Sequence, residues 1–280
     1  MTIAEAYSKY AKLAKEKDIY SMDVRRLLVH YEHLRDQLDV ITEGKREMRN
    51  LPAFEEGMKR LLNDEPVEYI IGEAEFLTRK LKVDRRVLIP RLETEELVAT
   101  FSERIGDYFN PRNMLAVADI GTGSGCIAIA VKDSFPNFFV YASDVSSGAL
   151  EVAKENFAAS GEEITPLLGD ALEPFIKSGR KLDVIISNPP YITEGEYVQP
   201  SVTNFEPESA LLFKEDDNVY QKILSRLDEV KKGPIVLFFE ISPELVDYLN
   251  KLMVKYLKDY SYEFMEDSNG FVRFLVIDVN

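Results

Sequence analysis

Residues 187–192 read Ser-Asn-Pro-Pro-Tyr-Ile and close the apolar run KLDVIIS (181–187). Such a stretch sets acceptors on a stiff backbone. Asn188 carries a side-chain carbonyl oxygen, and Pro189 and Pro190 restrict the chain around their own carbonyls. A plain turn is the competing reading, since Asn and Pro often end strands. Three other segments bear on the choice. Asp119-Ile120-Gly121-Thr122-Gly123-Ser124-Gly125 lies between an apolar run and a helical one. Glycines there let a ligand approach the backbone, and the helix start offers free N–H groups. The Gly-x-Gly-x-x-Gly spacing of dinucleotide sites is not met, because Cys126 takes the sixth position, so a different nucleoside ligand is favoured. Asp144 ends FFVYASD 23 residues after Gly121, about where an acidic residue accepts ribose hydroxyls. Capping the next helix is its alternative role. Asp170, followed by Ala171 in LLGDAL, offers a carboxylate to an exocyclic amine, although alone it reads as a turn residue. Four such segments in this order make coincidence improbable.

The surrounding elements are legible from periodicity. The first 64 residues read as helices: Thr2 and Glu5 fit a capping box, and Ile3, Ala6, Tyr7, Tyr10, Leu13 and Ala14 recur at helical spacing. MDVRRLLVHYEHL (22–34), carrying both His30 and His33, and AFEEGMKRLLND (53–64) repeat the pattern. Residues 65–90 alternate around Gly72 and a charged stretch, which predicts a β-hairpin connector. From residue 91 to 280 helical and strand patterns alternate, with NVYQKILSRLDEVKK (218–232) expected as helix and PIVLFFEI (234–241) as strand. The tail carries an Asn269-Gly270 hairpin signal. This predicts an α/β chain: a mostly parallel sheet covered on both faces, with an antiparallel C-terminal pair, preceded by a small helical domain.

Composition narrows the functions. The chain has 280 residues and is 45% apolar, and no stretch approaches the 18 apolar residues of a membrane span. One cysteine rules out an internal disulfide and suits a cytoplasmic setting; with two histidines it leaves no credible transition-metal cluster. Residues 1–64 hold 12 basic and 12 acidic side chains, so the whole charge of −15 falls on the remainder. So acidic a body lowers the expectation of direct nucleic-acid binding.

The order of glycine loop, Asp144, Asp170 and Asn-Pro-Pro-Tyr resembles the Rossmann-like class I methyltransferases that use S-adenosyl-L-methionine. In that family Asn-Pro-Pro-Tyr marks enzymes methylating a planar nitrogen. PVEYIIGEAEF (66–76), VLIPRLETEELV (87–98), FEPESALLF (205–213), FEIS (239–242) and DSNGFVRFLVI (267–277) resemble PrmC/HemK-type release-factor glutamine methyltransferases. The resemblance implies a protein substrate, the Gln of the Gly-Gly-Gln loop of peptide-chain release factors. It implies a helical substrate-recognition domain (1–64), a connector (65–90) and a methyltransferase domain (91–280). It also implies catalytic roles for Asn188, Pro189, Pro190 and Tyr191, and cofactor contacts from Gly121, Thr122, Gly123, Ser124, Gly125, Asp144, Asp170, Ala171 and Asn188.

Three positions depart from the family pattern: Leu92 replaces a proline, FKEDDN (213–218) replaces a glycine-containing run, and Ser242 replaces a glycine. The other readings are a ribosomal-protein glutamine methyltransferase, an adenine amino-methyltransferase on DNA or RNA, and a silent cofactor-binding scaffold. The acidic body disfavours nucleic acid, and the intact Asn188–Tyr191 stretch disfavours the scaffold.

Overall fold

Ile3, Ala6, Tyr10 and Ala14 form the buried face of α1 (Ile3–Lys15) in the computed structural model, which describes residues 1–258 and 260–280. The capping box expected at its start is present, with Thr2 Oγ1 accepting from Glu5 N–H and Glu5 reaching back to Thr2 N–H. With α2 (Ser21–Glu32), α3 (Asp39–Thr42), α4 (Leu51–Leu61) and α5 (Val67–Ile71), α1 packs one apolar core through Leu27, Phe54 and Met58. A buried carboxylate ties this core to its loop, since Glu32 accepts from Arg49 N–H and Asn50 N–H at 2.8–3.0 Å. Two sequence expectations are corrected here. His33 does not share α2 with His30, because the helix ends at Glu32 and His33 turns left-handed at φ 53°. PVEYII is helix rather than strand, with Gly72 its left-handed cap at φ 85°. Residues 1–73 and 198–205, including α10 (Pro200–Phe205), form one compact unit; 74–197 and 206–280 form another.

A hairpin follows, β1 (Glu73–Phe76) and β2 (Arg79–Lys82), which belongs to the second unit from Ala74 on and reverses at Leu77-Thr78 rather than around Gly72. There follow α6 (Leu92–Tyr108), β3 (Ala116–Ile120), α7 (Cys126–Ser134), β4 (Phe139–Asp144), α8 (Ser147–Ser160), β5 (Ile164–Leu168) and α9 (Glu173–Lys177). The chain continues through β6 (Leu182–Ser187), α11 (Val219–Ser225), β7 (Lys231–Glu240), α12 (Val246–Tyr256), β8 (Ser261–Glu266) and β9 (Val272–Val279). The seven-stranded sheet has the order β5-β4-β3-β6-β7-β9-β8, parallel from β5 to β7 and antiparallel where β9 pairs with β7 and β8.

Successive side chains of each strand feed two cores. Val117, Val184, Ile186, Val236 and Phe238 enter the core on one face. Ala118, Ile120, Ile185, Leu237 and Phe239 enter the other. Burial of each large apolar side chain contributes about 1.5–3 kcal/mol. The helix expected over 218–232 stops at Ser225. A short 3-10 turn, Leu227–Glu229, follows, and Lys231 already pairs with Leu182. Apolar spacing at Ile223, Leu224, Leu227 and Val230 mimics a helix, but the Leu182 N–H to Val230 carbonyl bond draws the chain into the sheet. Among the described residues no helix is long and apolar enough to cross a membrane.

Candidate active site

The parallel strands β3 to β7 all end at one edge of the sheet, with Ile120, Asp144, Leu168, Ser187 and Glu240 as their last residues. Strand order reverses at β3: β4 and β5 lie on one side, β6 and β7 on the other. Open α/β sheets form their ligand crevice at such a point. Here a cavity opens there, and Gly121, Gly123, Asp144, Asp170, Ala171 and Asn188 all line it.

Gly121 and Thr122 donate their N–H groups to the Ser143 carbonyl at 2.8 and 2.9 Å, which pins the glycine turn to β4. Gly121 and Gly123 have φ values of 73° and 55°, and a Cβ built on either meets nothing within 4 Å. These two glycines therefore leave room for a ligand against bare backbone. Gly125 has another task, because a Cβ there would stand 2.5 Å from the Phe157 ring. Thr122, Ser124 and Gly125 do not line the cavity. Thr122 Oγ1 donates to Asp119 Oδ2 at 2.6 Å, and the Ser124 carbonyl accepts from Asn156 Nδ2 at 2.8 Å. Asp119 is fully buried and burial pushes its carboxyl up to about 7.

Asp144 accepts from Gly123 N–H through Oδ2 at 2.9 Å and from Ser146 N–H through Oδ1 at 2.8 Å. Each oxygen keeps lone-pair capacity for another donor. Burial raises its pKa, and the two N–H donors oppose that shift. The cap of α8 is Ser146, whose hydroxyl accepts from Ala149 N–H. Asp144 is thus not the helix cap. Asp170, which lines the cavity, accepts from Lys222 Nζ through Oδ2 at 2.7 Å, and Ala171 turns left-handed at φ 46°. Left-handed backbone at a non-glycine residue costs about 1–2 kcal/mol and turns up at ligand sites.

On β6, Ser187 Oγ donates to the Ile120 carbonyl at 2.5 Å and ties this strand end to the glycine turn. Asn188 Nδ2 donates to Thr94 Oγ1 at 3.0 Å, and Thr94 Oγ1 donates in turn to Glu240 Oε2 at 2.7 Å. The Tyr191 hydroxyl donates to Glu240 Oε1 at 3.1 Å. Asn188 and Pro190 line the cavity; Pro189 is buried beside them and Tyr191 is half-buried against the second core. Glu240 is fully buried, and burial pushes its carboxyl up to about 7 against the pull of the Thr94 and Tyr191 hydroxyls. Thr94 and Glu240 fall inside two of the family-like segments, VLIPRLETEELV and FEIS, but nothing in the sequence assigns either a role. The available signal is a carboxylate ending the apolar strand Ile235–Phe239, at the same sheet edge as the other site residues.

Residues 94–215 match the model of the methyltransferase small domain family. A release factor glutamine methyltransferase from Bacillus cereus is 39% identical over 221 residues, covering 78% of each chain. One from Bacillus subtilis is 39% identical over 208 residues, covering 73% of this chain and 72% of that one. The chain belongs to the release factor glutamine methyltransferase family. In fold it is similar to a methyltransferase crystal structure from Pyrococcus furiosus, with a TM-score of 0.50 and 16% identity over 80% of this chain and 98% of that one.

The three departures from the family pattern lie outside the cavity lining. Leu92, at the first position of α6, is 74% exposed, and a proline there would forgo only an N–H that the helix start leaves unpaired. Asn218 closes the 213–218 run and caps α11 by accepting from Gln221 N–H at 2.8 Å. Ser242 caps the 3-10 turn Pro243–Leu245 through its hydroxyl.

Proposed function

We infer that this chain transfers a methyl group from S-adenosylmethionine to the side-chain amide nitrogen of the glutamine in the Gly-Gly-Gln loop of peptide-chain release factors. The observation that carries this reading is one cavity shared by Gly121, Gly123, Asp144, Asp170 and Asn188, in a chain 39% identical to release factor glutamine methyltransferases. The residues fit the cofactor. Open space over Gly121 and Gly123 admits it against the backbone. The spare lone pairs of Asp144 suit ribose hydroxyls, and Asp170 Oδ1 suits the adenine amine. When bound, the cofactor supplies a methyl group activated by a sulfonium.

The chain's own residues act on the amide. Amide nitrogen is a weak nucleophile because its lone pair is delocalised into the carbonyl. Asn188 Oδ1 and the Pro189 carbonyl accept its two N–H groups, hold it in place and ease its pyramidalisation. The Asn188 amide is pre-aligned for this, because Nδ2 is committed to Thr94. The prolines keep the acceptors fixed, so little reorganisation accompanies reaction. No strong base is required, because the N–H proton turns acidic as the new bond forms. Orientation of the two reactants accounts for much of the acceleration. The neutral helical residues 1–64 recognise the release factor, since a lone glutamine side chain offers too little to bind.

The test offers radiolabelled adenosylmethionine with a purified release factor, a ribosomal protein or DNA. Label is expected on the release factor's glutamine. Label on either of the others alone would overturn the reading.

A further inference from the structure

We propose that Thr94 and Glu240 are positioning residues that fix which end of the Asn188 amide faces the substrate. This rests on the role just given to Asn188. The two residues come from separate elements: Thr94 from α6, 3% exposed, and Glu240 from the end of β7, 0% exposed. A hydroxyl has one proton, and Thr94 directs it to Glu240 Oε2. With that single proton committed to Glu240, Thr94 has nothing but lone pairs left for Asn188. The amide must then turn Nδ2 towards Thr94, as it does at 3.0 Å, and Oδ1 becomes the end available to the substrate. The reversed amide would set Oδ1 against Thr94 lone pairs and present N–H groups to the N–H groups of a glutamine.

The second oxygen of Glu240 does a parallel job. Tyr191 OH donates to Oε1, so one carboxylate holds Tyr191 directly and Asn188 through Thr94. The strand end is anchored as well, since Tyr220 OH donates to the Glu240 backbone carbonyl at 2.8 Å. A buried carboxylate lacking a bidentate cation is costly, and an apolar residue would pack this strand end at lower cost. The hydrogen-bonded chain to Asn188 is what the carboxylate provides in return.

The test is a double-mutant cycle on the full chain, reading kcat with a release factor and saturating adenosylmethionine. Thr94→Val is expected to lower kcat about 10-fold or more, with cofactor affinity and KM for the release factor nearly unchanged. Thr94→Ser keeps the hydroxyl and is expected to restore most of the rate. In an Asn188→Ala background Thr94→Val is expected to cost nothing further, since there is no amide left to orient. Equal losses in both backgrounds would make Thr94 a packing residue and overturn the proposal. So would an undiminished kcat in Thr94→Val when Asn188→Ala is impaired. An unimpaired Asn188→Ala would instead sink the reading of Asn188 itself, and the positioning role with it. Should Thr94→Val not fold, Thr94→Ala removes the same hydroxyl with less bulk and carries the cycle.

Discussion

Gly123 donates its backbone N–H to Asp144 Oδ2 across 2.9 Å, from the turn after β3 to the end of β4. The glycine turn and the acidic strand end are therefore one device: the carboxylate that lines the cavity also fixes the loop beneath it. Asp144→Ala removes both effects. Adenosylmethionine binding should weaken by roughly 1.5–3 kcal/mol, the scale of hydrogen bonds to a charged group. Calorimetry would show this, and an unchanged dissociation constant would strip Asp144 of its ligand role.

Gly123→Ala separates space from hydrogen bonding. The new methyl meets open space in the folded chain, so only the left-handed φ of 55° opposes it, at about 1–2 kcal/mol. The protein should fold, melt a few degrees lower, and bind the cofactor poorly because the methyl occupies its approach. Tight binding in a folded Gly123→Ala variant would place the cofactor elsewhere.

Tyr191→Phe keeps the ring and removes the donor to Glu240 Oε1. A buried acceptor then loses its partner, which costs about 1–3 kcal/mol. The variant should melt lower and turn over more slowly than wild type, yet retain far more activity than Asn188→Ala. Thermal melts and single-turnover methylation measure the two effects. Equal damage from both substitutions would give the hydroxyl a direct place in the reaction.

The glycine turn, Asp144, Asp170 and Asn188 are legible in the sequence because each sits where an apolar strand gives way to a loop, a local pattern. Thr94 and Glu240 are not, because their bond joins positions 146 residues apart and only sheet order brings them together. Thr122 and Gly125 show the converse limit. They stand inside the glycine motif, yet Thr122 turns to Asp119 and Gly125 makes room for Phe157. Spacing marks the turn but not which face of it each residue serves. At Lys231, strand pairing with Leu182 overrides a helical apolar pattern.

Asp119 makes stability depend on pH. Its carboxyl ionises near 3.8 when unfolded and near 7 when buried. Between those values the unfolded chain has released the proton that the folded chain keeps, so folding stability falls as pH rises from about 4 to about 7. Asp119→Asn keeps an acceptor for Thr122 Oγ1 and Ala128 N–H but cannot ionise. Relative to wild type it should gain an amount on the order of a few kcal/mol between pH 4 and pH 7, set against a fixed, pH-independent cost of burying its Nδ2 where Asp119 Oδ1 has no partner. Urea melts across that range give the comparison. Parallel curves for the two proteins would mean that Asp119 is already ionised in the fold.

The helical unit offers the last test, and it concerns the release factor. On and beside the short helix α3, Leu38 and Ile41 are 68% and 65% exposed, large apolar side chains held out to water in a segment without net charge. Neither belongs to the core of its own unit, so replacing either with Glu should leave melting within about 0.5 kcal/mol of wild type. If residues 1–64 recognise the release factor, charge at these positions should raise KM for the intact factor while cofactor affinity stays unchanged. Methylation of a short peptide bearing the Gly-Gly-Gln loop supplies the control, since a peptide that lacks the rest of the factor makes no remote contact. Its rate should not respond to Leu38→Glu or Ile41→Glu. A loss on peptide and intact factor alike would trace the defect to the methyltransferase unit. An undiminished rate on both would move the docking surface away from α3.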